Sequence, residues 1–293
     1  MIVVTGPTGQ IGSRILSELV KTQEKIRVIA RDPENLRPDI RSHVEVIHGS
    51  HSEADIVNKA FEGADAVFWL VVTDFKAKVP ETSYVDFSRA GCEAFKSHHV
   101  KRVVGVTALG RGWKKDAGPL TASMAMDDMI ASTGVSYRAI ACPTHMENLL
   151  RQAGTIHAHS VFTGPEPANV KSPIVSTRDI ADMAARLLRE ESWGGFKEVP
   201  ILGPEDLSNN DMAAIMSEVL QKPIRYQETP ITDHYSMWIK RGLSERMAQA
   251  MVNMRIAKIE GIDRSVKRTS ENSSPTTFGT WCEEVLKPSL SAR

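Results

Sequence analysis

The stretch MIVVTGPTGQIGSRILSELV, residues 1–20, decides the fold. Ile2 to Thr5 is a short run, rich in β-branched residues, of the kind that forms a buried strand. Ile11, Ile15 and Leu19, with Leu16 and Val20 beside them, mark one face of a helix. Gly6, Gly9 and Gly12 lie in the turn and first helical turn between them. A dinucleotide pyrophosphate needs backbone N–H groups at a helix N-terminus with no side chain in the way, and glycines directly behind the first strand allow that approach. The spacing is G-x-x-G-x-x-G, one residue longer than the G-x-G-x-x-G fingerprint. The reading therefore rests on context: a strand before, a helix after, and a βαβ unit closed by KIRVIAR (25–31).

That second strand bears on which nucleotide is held. An acidic residue about 20 positions beyond the glycines holds the ribose 2′-hydroxyl of NAD, whereas a basic one accommodates the 2′-phosphate of NADP. Arg31 stands in that region, and Arg14, early in the first helix, offers a second positive group. Asp32 alongside suits a ribose hydroxyl. The balance favours NADP(H), with NAD(H) as the alternative.

The rhythm continues outward from this unit. HVEVIHG (43–49), AVFWLVV (66–72), KRVVGVTAL (101–109) and VSYRAIACP (135–143) read as further strands. Between them EADIVNKAFEGAD (53–65), YVDFSRAGCEAFKSHHV (84–100) and ASMAMDDMIASTG (122–134) read as helices. Strands alternating with helices of this length imply an α/β fold, a mostly parallel sheet wound on both faces. Its ligand belongs beyond the carboxyl ends of the strands. After Asn148 the rhythm changes: STRDIADMAARLL (176–188) and SNNDMAAIMSEVL (208–220) are helices separated by proline-rich segments, the second with Ser208 and Asp211 at capping-box spacing. We expect a nucleotide-binding domain over 1–150 and a smaller substrate-binding α/β lobe over 151–293, interleaved with the sheet.

Composition narrows the partners. Thirty-six Lys and Arg balance thirty-six Asp and Glu, so bulk charge draws the chain neither to nucleic acid nor to an acidic membrane surface. Cys92, Cys142 and Cys282 are odd in number and widely spaced, which argues against a disulfide framework and fits a reducing cytoplasm. His43, His48 and His51, and again His157 and His159, lack the ligand set of a zinc site, and no metal is expected. No leader is evident, and no apolar run approaches the ~20 residues that span a bilayer.

Several stretches together carry a family resemblance: VTGPTGQIGSRI (4–15), RDPENL (31–36), VTALG (106–110), MIASTGVSYRAIACPTHMENLL (129–150), GPEDLSNNDMAAIMSEVL (203–220) and KPIRY (222–226). Over nearly its whole length the chain resembles the NmrA-like proteins, an atypical branch of the short-chain dehydrogenase/reductase superfamily. The resemblance implies a Rossmann-type doubly wound sheet with a small C-terminal lobe. That family includes NAD(P)H-dependent reductases of quinones, azo or triphenylmethane dyes and iminium-type metabolites, and also non-catalytic NAD(P) sensors that act through a protein partner. By the same resemblance Gly6, Thr8, Gly9, Gln10, Ile11 and Gly12 form the phosphate loop, and Arg31 takes the ribose-phosphate position. Val72, Thr73 and Thr107 close strands beside the cofactor, and Pro143, Met146, Glu147 and Asn148 run beside the nicotinamide and the substrate.

The acid/base positions depart from the pattern. A typical short-chain dehydrogenase uses Tyr-x-x-x-Lys, but Tyr84, Tyr137, Tyr226 and Tyr235 are followed four residues later by Ser88, Ala141, Pro230 and Ile239. Ser123 occupies the position where relatives carry Lys or His, with Asp127 one turn on. Lys114 and Lys115 read as a solvated turn. His145, which titrates near neutrality in water, is the candidate general acid beside Ser123. A Ser123–His145–Asp127 hydrolase is set aside for want of a G-x-S-x-G elbow. Trp113, Leu120, Met124, Met146, Asn148 and Trp238 are the candidate substrate contacts. The reading is an NAD(P)H-dependent reductase of a small hydrophobic electrophile, monomeric or homodimeric, with the sensor as the alternative.

Overall fold

The computed structural model describes residues 1–291. In chain order its strands are β1 (Ile2–Thr5), β2 (Ile26–Ala30), β3 (Glu45–His48), β4 (Ala66–Trp69), β5 (Arg102–Ala108), β6 (Ser136–Cys142), β7 (Thr144–His145), β8 (Val161–Gly164), β9 (Ser172–Val175), β10 (Phe196–Pro200), β11 (Asp206–Leu207) and β12 (Arg225–Glu228). The principal helices are α1 (Gln10–Leu19), α2 (Pro38–Arg41), α3 (Ala54–Phe61), α4 (Phe87–Ser97), α5 (Pro119–Ser132), α6 (Ala153–His159), α7 (Thr177–Arg189), α8 (Asn209–Leu220), α9 (Ile231–Lys240) and α10 (Glu245–Glu260).

The chain forms two compact units. The first comprises Met1–Ala108, Pro119–Ala141 and Ile180–Val199; the second comprises Leu109–Gly118, Cys142–Asp179 and the chain from Pro200 onward. The first unit holds a seven-stranded sheet in the order β10-β6-β5-β4-β1-β2-β3. Its β1–β2, β2–β3, β1–β4 and β4–β5 pairs are parallel. Strands β1, β4 and β5 are buried along their whole length, as a sheet covered on both faces requires. The direction in which strands are added reverses at the β1–β4 boundary, where open sheets of this order bind nucleotides.

Aromatic packing fixes the helices on this sheet. The Phe61 and Phe95 rings stack at 5.2 Å, and Trp69 meets Phe95 edge-on at 5.5 Å. A Cβ on Gly91 would lie 2.5 Å from the Trp69 indole, so glycine alone lets α4 approach that ring. Gly105 on β5 likewise leaves room for the Tyr137 hydroxyl, which would be 2.3 Å from its Cβ.

The second unit carries a small sheet ordered β11-β9-β7 and a parallel β8–β12 pair. Its core gathers Ile156, Phe162, Met216, Phe278 and Trp281. The capping box foreseen at the start of α8 is formed: Ser208 Oγ accepts from the Asp211 N–H at 3.1 Å, and Asp211 Oδ2 accepts from the Ser208 N–H at 3.0 Å. Helix α10 begins under Ser244, whose hydroxyl accepts from the Met247 N–H, and stops at Gly261 in the left-handed region (φ 104°).

Some boundaries differ from the sequence reading. Strand β4 ends at Trp69, although apolar residues run on to Val72, because Leu70 leaves the ladder to bond elsewhere. The first unit yields to the second at Cys142, and the chain then returns with Ile180–Val199 to supply β10. Without that return the apolar β6 would stand at the sheet's edge. The three cysteines are buried, and none of them forms a disulfide among the described residues. No helix among the described residues is long and apolar enough to cross a membrane.

Candidate cofactor and substrate sites

The glycine loop of the first unit is built by its own backbone. Gly6 takes a left-handed conformation (φ 61°), which turns the chain sharply out of β1. The Gly9 N–H donates back to the Gly6 carbonyl at 3.1 Å. A Cβ on Gly12 would lie 2.1 Å from that same carbonyl oxygen, so the third glycine lets α1 close onto the loop. A Cβ on Gly9 would have an ordinary 3.4 Å contact, so at Gly9 the fold itself tolerates a side chain. Thr8, Gly9 and Gln10 are exposed, whereas Ile11 is buried and anchors the helix beneath them. Gly9 caps α1 without any side-chain hydrogen bond, and the first turn holds no acidic residue. The positive end of the helix therefore keeps its N–H groups for an anion, and these residues fit a pyrophosphate.

The cations around the end of β2 differ in their pairing. Arg14 is held in a two-pronged bond to Asp182, at 2.9 and 3.2 Å, so its charge is already matched; the reading of it as a second phosphate ligand gives way. Arg37 pairs with Asp39, and Arg41 with Glu34. Arg31 is exposed, and its guanidinium has neither a hydrogen bond nor an ion pair with the described residues.

The strand ends are tied together. The Thr5 hydroxyl donates to the Phe68 carbonyl and accepts the Leu70 N–H, both at 2.9 Å. The Leu70 carbonyl accepts from His51 Nε2 at 2.9 Å, which places the ring proton on that nitrogen. The His51 ring sits edge-on to Trp69 and Phe87, and burial pushes its pKa down to about 4. Beyond this anchor Val72 stands 71% exposed, an apolar side chain turned to solvent after the sheet. The Thr73 hydroxyl bonds the Tyr84 hydroxyl at 2.8 Å.

Ser123 is less free than a catalytic serine. Its buried hydroxyl donates to the Leu120 carbonyl at 3.1 Å and lies 3.2 Å from the Thr107 hydroxyl. Asp127, one turn on, is fully buried and accepts from the Tyr137 hydroxyl at 2.6 Å. That carboxylate serves the core. Met124 is half-buried on α5 of the same unit. Lys115 forms an ion pair with Glu260 at 2.6 Å within the second unit.

The second unit contains a pocket of about 150 Å³. Met146 and Asn148 line it with His145, and Phe162, Ile174 and Met212 add apolar wall. Trp113 and Trp238 are not among its lining residues: the Trp113 indole N–H is buried without a partner, and Trp238 carries the Arg241 guanidinium at 5.2 Å from its ring. Pro143 is buried between β6 and β7. Burial, reinforced by Lys258 and only partly offset by Asp263, holds His145 at about 4. The expectation that it titrates near neutrality is thereby corrected, and at pH 7 it is a neutral imidazole.

Sequence reasoning missed four charged residues lining this pocket. Arg255 pairs with Glu166 at 2.8 Å, and Lys258 with Asp263 at 2.6 Å. Asp263 Oδ2 also accepts from the Thr144 hydroxyl at 3.2 Å. Arg255 and Lys258 lie one turn apart on α10, and Asp263 follows its glycine stop. The only trace in the sequence is that stop, which marks where a helix ends but not what faces a cavity.

A family model described as NAD(P)H-binding matches residues 6–191. The chain is 27% identical over 254 residues to an NAD(P)H azoreductase from Xenophilus azovorans, covering 86% of this chain and 85% of that one. It is 29% identical over 236 residues to a (4-alkanoyl-5-oxo-2,5-dihydrofuran-3-yl)methyl phosphate reductase from Streptomyces griseus, covering 78% and 77%. Among solved structures, an NADPH-dependent quinone oxidoreductase from Escherichia coli in complex with NADPH superposes with a TM-score of 0.79 at 21% identity, over 100% of this chain and 99% of that one.

Proposed function

From the premise that this chain belongs to the NAD(P)H-binding family, in the NmrA-like branch of the atypical short-chain dehydrogenase/reductases, we propose that it is an NADPH-dependent reductase. Its acceptor is a small, hydrophobic electrophile of the quinone, imine or dye kind. The observation that carries the cofactor is the uncapped start of α1 behind the glycine loop, with the unpaired Arg31 guanidinium offered to a 2′-phosphate. Gly6, Thr8, Gly9, Gln10 and Gly12 hold the pyrophosphate, and Val72, Thr73 and Thr107 flank the rest. The bound nucleotide supplies hydride. Met146 and Asn148 contribute to the acceptor's pocket in the second unit.

The acceptor class follows from what the candidate acids lack. Ser123 spends its hydroxyl on Leu120, and His145 is neutral at pH 7. Neither is poised to protonate a developing alkoxide, as simple ketone reduction requires. A quinone, iminium ion or cationic dye stabilises its own developing charge, and the chain then contributes orientation and a dry surface. The same observation favours the second reading, a nucleotide sensor that acts through a protein partner.

One experiment separates them. The protein is mixed with NADPH and a panel of quinones, iminium compounds, azo and triphenylmethane dyes, aldehydes and ketones, and loss of nicotinamide absorbance is followed. Saturable turnover of a quinone or dye supports the reductase; ketones as the best substrates overturn the mechanism. Tight NADPH binding without turnover of any acceptor gives the sensor reading its place.

A further inference from the structure

Between β7 and α6 the second unit carries a seven-residue 3₁₀ segment, Met146–Gln152, and Met146, Asn148 and Leu149 of this segment line the pocket. So long a 3₁₀ stretch is weakly bonded along its own axis, and its place has to be fixed from outside. Two polar residues fix it. At the far end the Gln152 amide grips the backbone of Thr163 on β8, donating to the carbonyl at 2.9 Å and accepting from the N–H at 2.8 Å. At the near end Glu147, flanked by Met146 and Asn148, does not itself line the pocket. Its Oε2 accepts from the N–H of Thr177, the first residue of α7, at 3.0 Å. Its Oε1 accepts from the Ser176 hydroxyl and from the Trp281 indole N–H, each at 3.2 Å. Trp281 is buried and stacks on Phe278 at 5.6 Å, so that indole is in turn held by the core.

We infer that Glu147 is a positioning residue for the substrate: its carboxylate fixes the stretch that brings Met146 and Asn148 to the pocket wall, and touches no ligand itself. Three donors converge on this one group, two at the start of α7 and one from the core, and hydrogen bonds to a charged acceptor are about twice as strong as neutral ones. Helix α7 also turns its positive end toward the carboxylate. A simple helix cap would need only the bonds at Ser176 and Thr177. The indole bond ties the same carboxylate to the core, so a displaced Glu147 carries the wall residues on either side of it out of place. In taking the pocket as the substrate's, the inference rests on the reductase reading, whereas the fixing of the wall does not.

Two measurements on the full chain test it. Glu147→Gln keeps the size of the side chain but sets an amide N–H₂ against one of the converging donors. Amide hydrogen exchange, read by mass spectrometry, should quicken more than about tenfold over residues 146–152 while α8 exchanges as before. In NADPH-dependent reduction of menadione or malachite green, KM for that substrate should rise roughly tenfold, with kcat within about threefold and NADPH affinity unchanged. Gln152→Glu, which removes the donor at the other end of the segment, should act in the same direction, and decides the matter if Glu147→Gln does not fold. Unaltered exchange over 146–152 overturns the inference. So does quickened exchange with KM unmoved, which would leave Glu147 a helix cap and no more. If the unaltered protein reduces neither compound, the reductase reading falls by itself, and the exchange result still decides whether Glu147 fixes the wall.

Discussion

The backbone of Gly6 and the missing side chain of Gly12 occupy the same space: a Cβ on Gly12 would lie 2.1 Å from the Gly6 carbonyl oxygen and 2.8 Å from its carbon. No rotamer relieves such a contact, because both partners are main chain. Gly12→Ala should therefore lower stability, by about 1–3 kcal/mol as overpacking does, and weaken nucleotide binding with it. Gly9→Val should leave the melting temperature close to normal and abolish NADPH binding, since a Cβ there meets the fold only at an ordinary 3.4 Å contact but stands where the pyrophosphate has to approach the backbone. Retained NADPH binding by Gly9→Val would falsify the loop assignment.

Arg31 predicts the cofactor preference. NADPH should bind more than tenfold tighter than NADH, and Arg31→Ala should erase most of that margin, given roughly 1.5–3 kcal/mol for a charge-assisted hydrogen bond. Arg14→Ala should leave the margin nearly intact, because its guanidinium is spent on Asp182. Equal affinities for the two nucleotides in the unaltered protein would remove the argument.

Acid should destabilise the fold chiefly through two histidines, with His234, also lowered by burial, acting in the same direction. His51 and His145 are held at about 4, below the ordinary value of 6.5, by burial. The unfolded chain takes up these protons as the pH falls through 6.5, while the folded one resists until about 4. Stability is therefore greatest above 6.5, declines between 6.5 and 4, and is insensitive to these groups below that. At pH 5 each accounts for a loss of about 2 kcal/mol relative to neutral pH. Asp65, held at about 2, acts in a separate and more acidic window. Urea melts at pH 7.5 and 5 check this, and His51→Gln should remove about half of the difference.

Ser123→Ala should cost at most about 1 kcal/mol, the worth of one neutral hydrogen bond, and leave steady-state turnover within about twofold. A fall in kcat of a hundredfold or more would make the hydroxyl a participant in proton transfer and revive it as an acid.

What could be read from the sequence was local. The β1 run, the glycines and the apolar stripe of α1 lie within twenty consecutive residues, and the Ser208–Asp211 capping box spans one turn. Strand β10 could not be read in the same way. FKEVP is short, polar and ends in proline, and it becomes a strand only because β6 offers it an edge from far back in the chain. The Asp263–Lys258 pair was hidden for a similar reason, since its neighbours Thr144 and His145 are more than a hundred residues away. His145 itself was identified by type, but its charge state depends on burial that no spacing encodes.

The late arrival of β10 also bears on how the chain emerges from the ribosome. Six strands of the large sheet are complete once Cys142 has been made, yet β6 keeps an open apolar edge until Phe196–Pro200 follows. During that interval the nascent chain displays a ready template for strand addition by another copy. A chain ended after Leu150 would make the interval permanent, and it should collect in inclusion bodies. A chain ended after Pro200, by contrast, would have both natural edges of its large sheet.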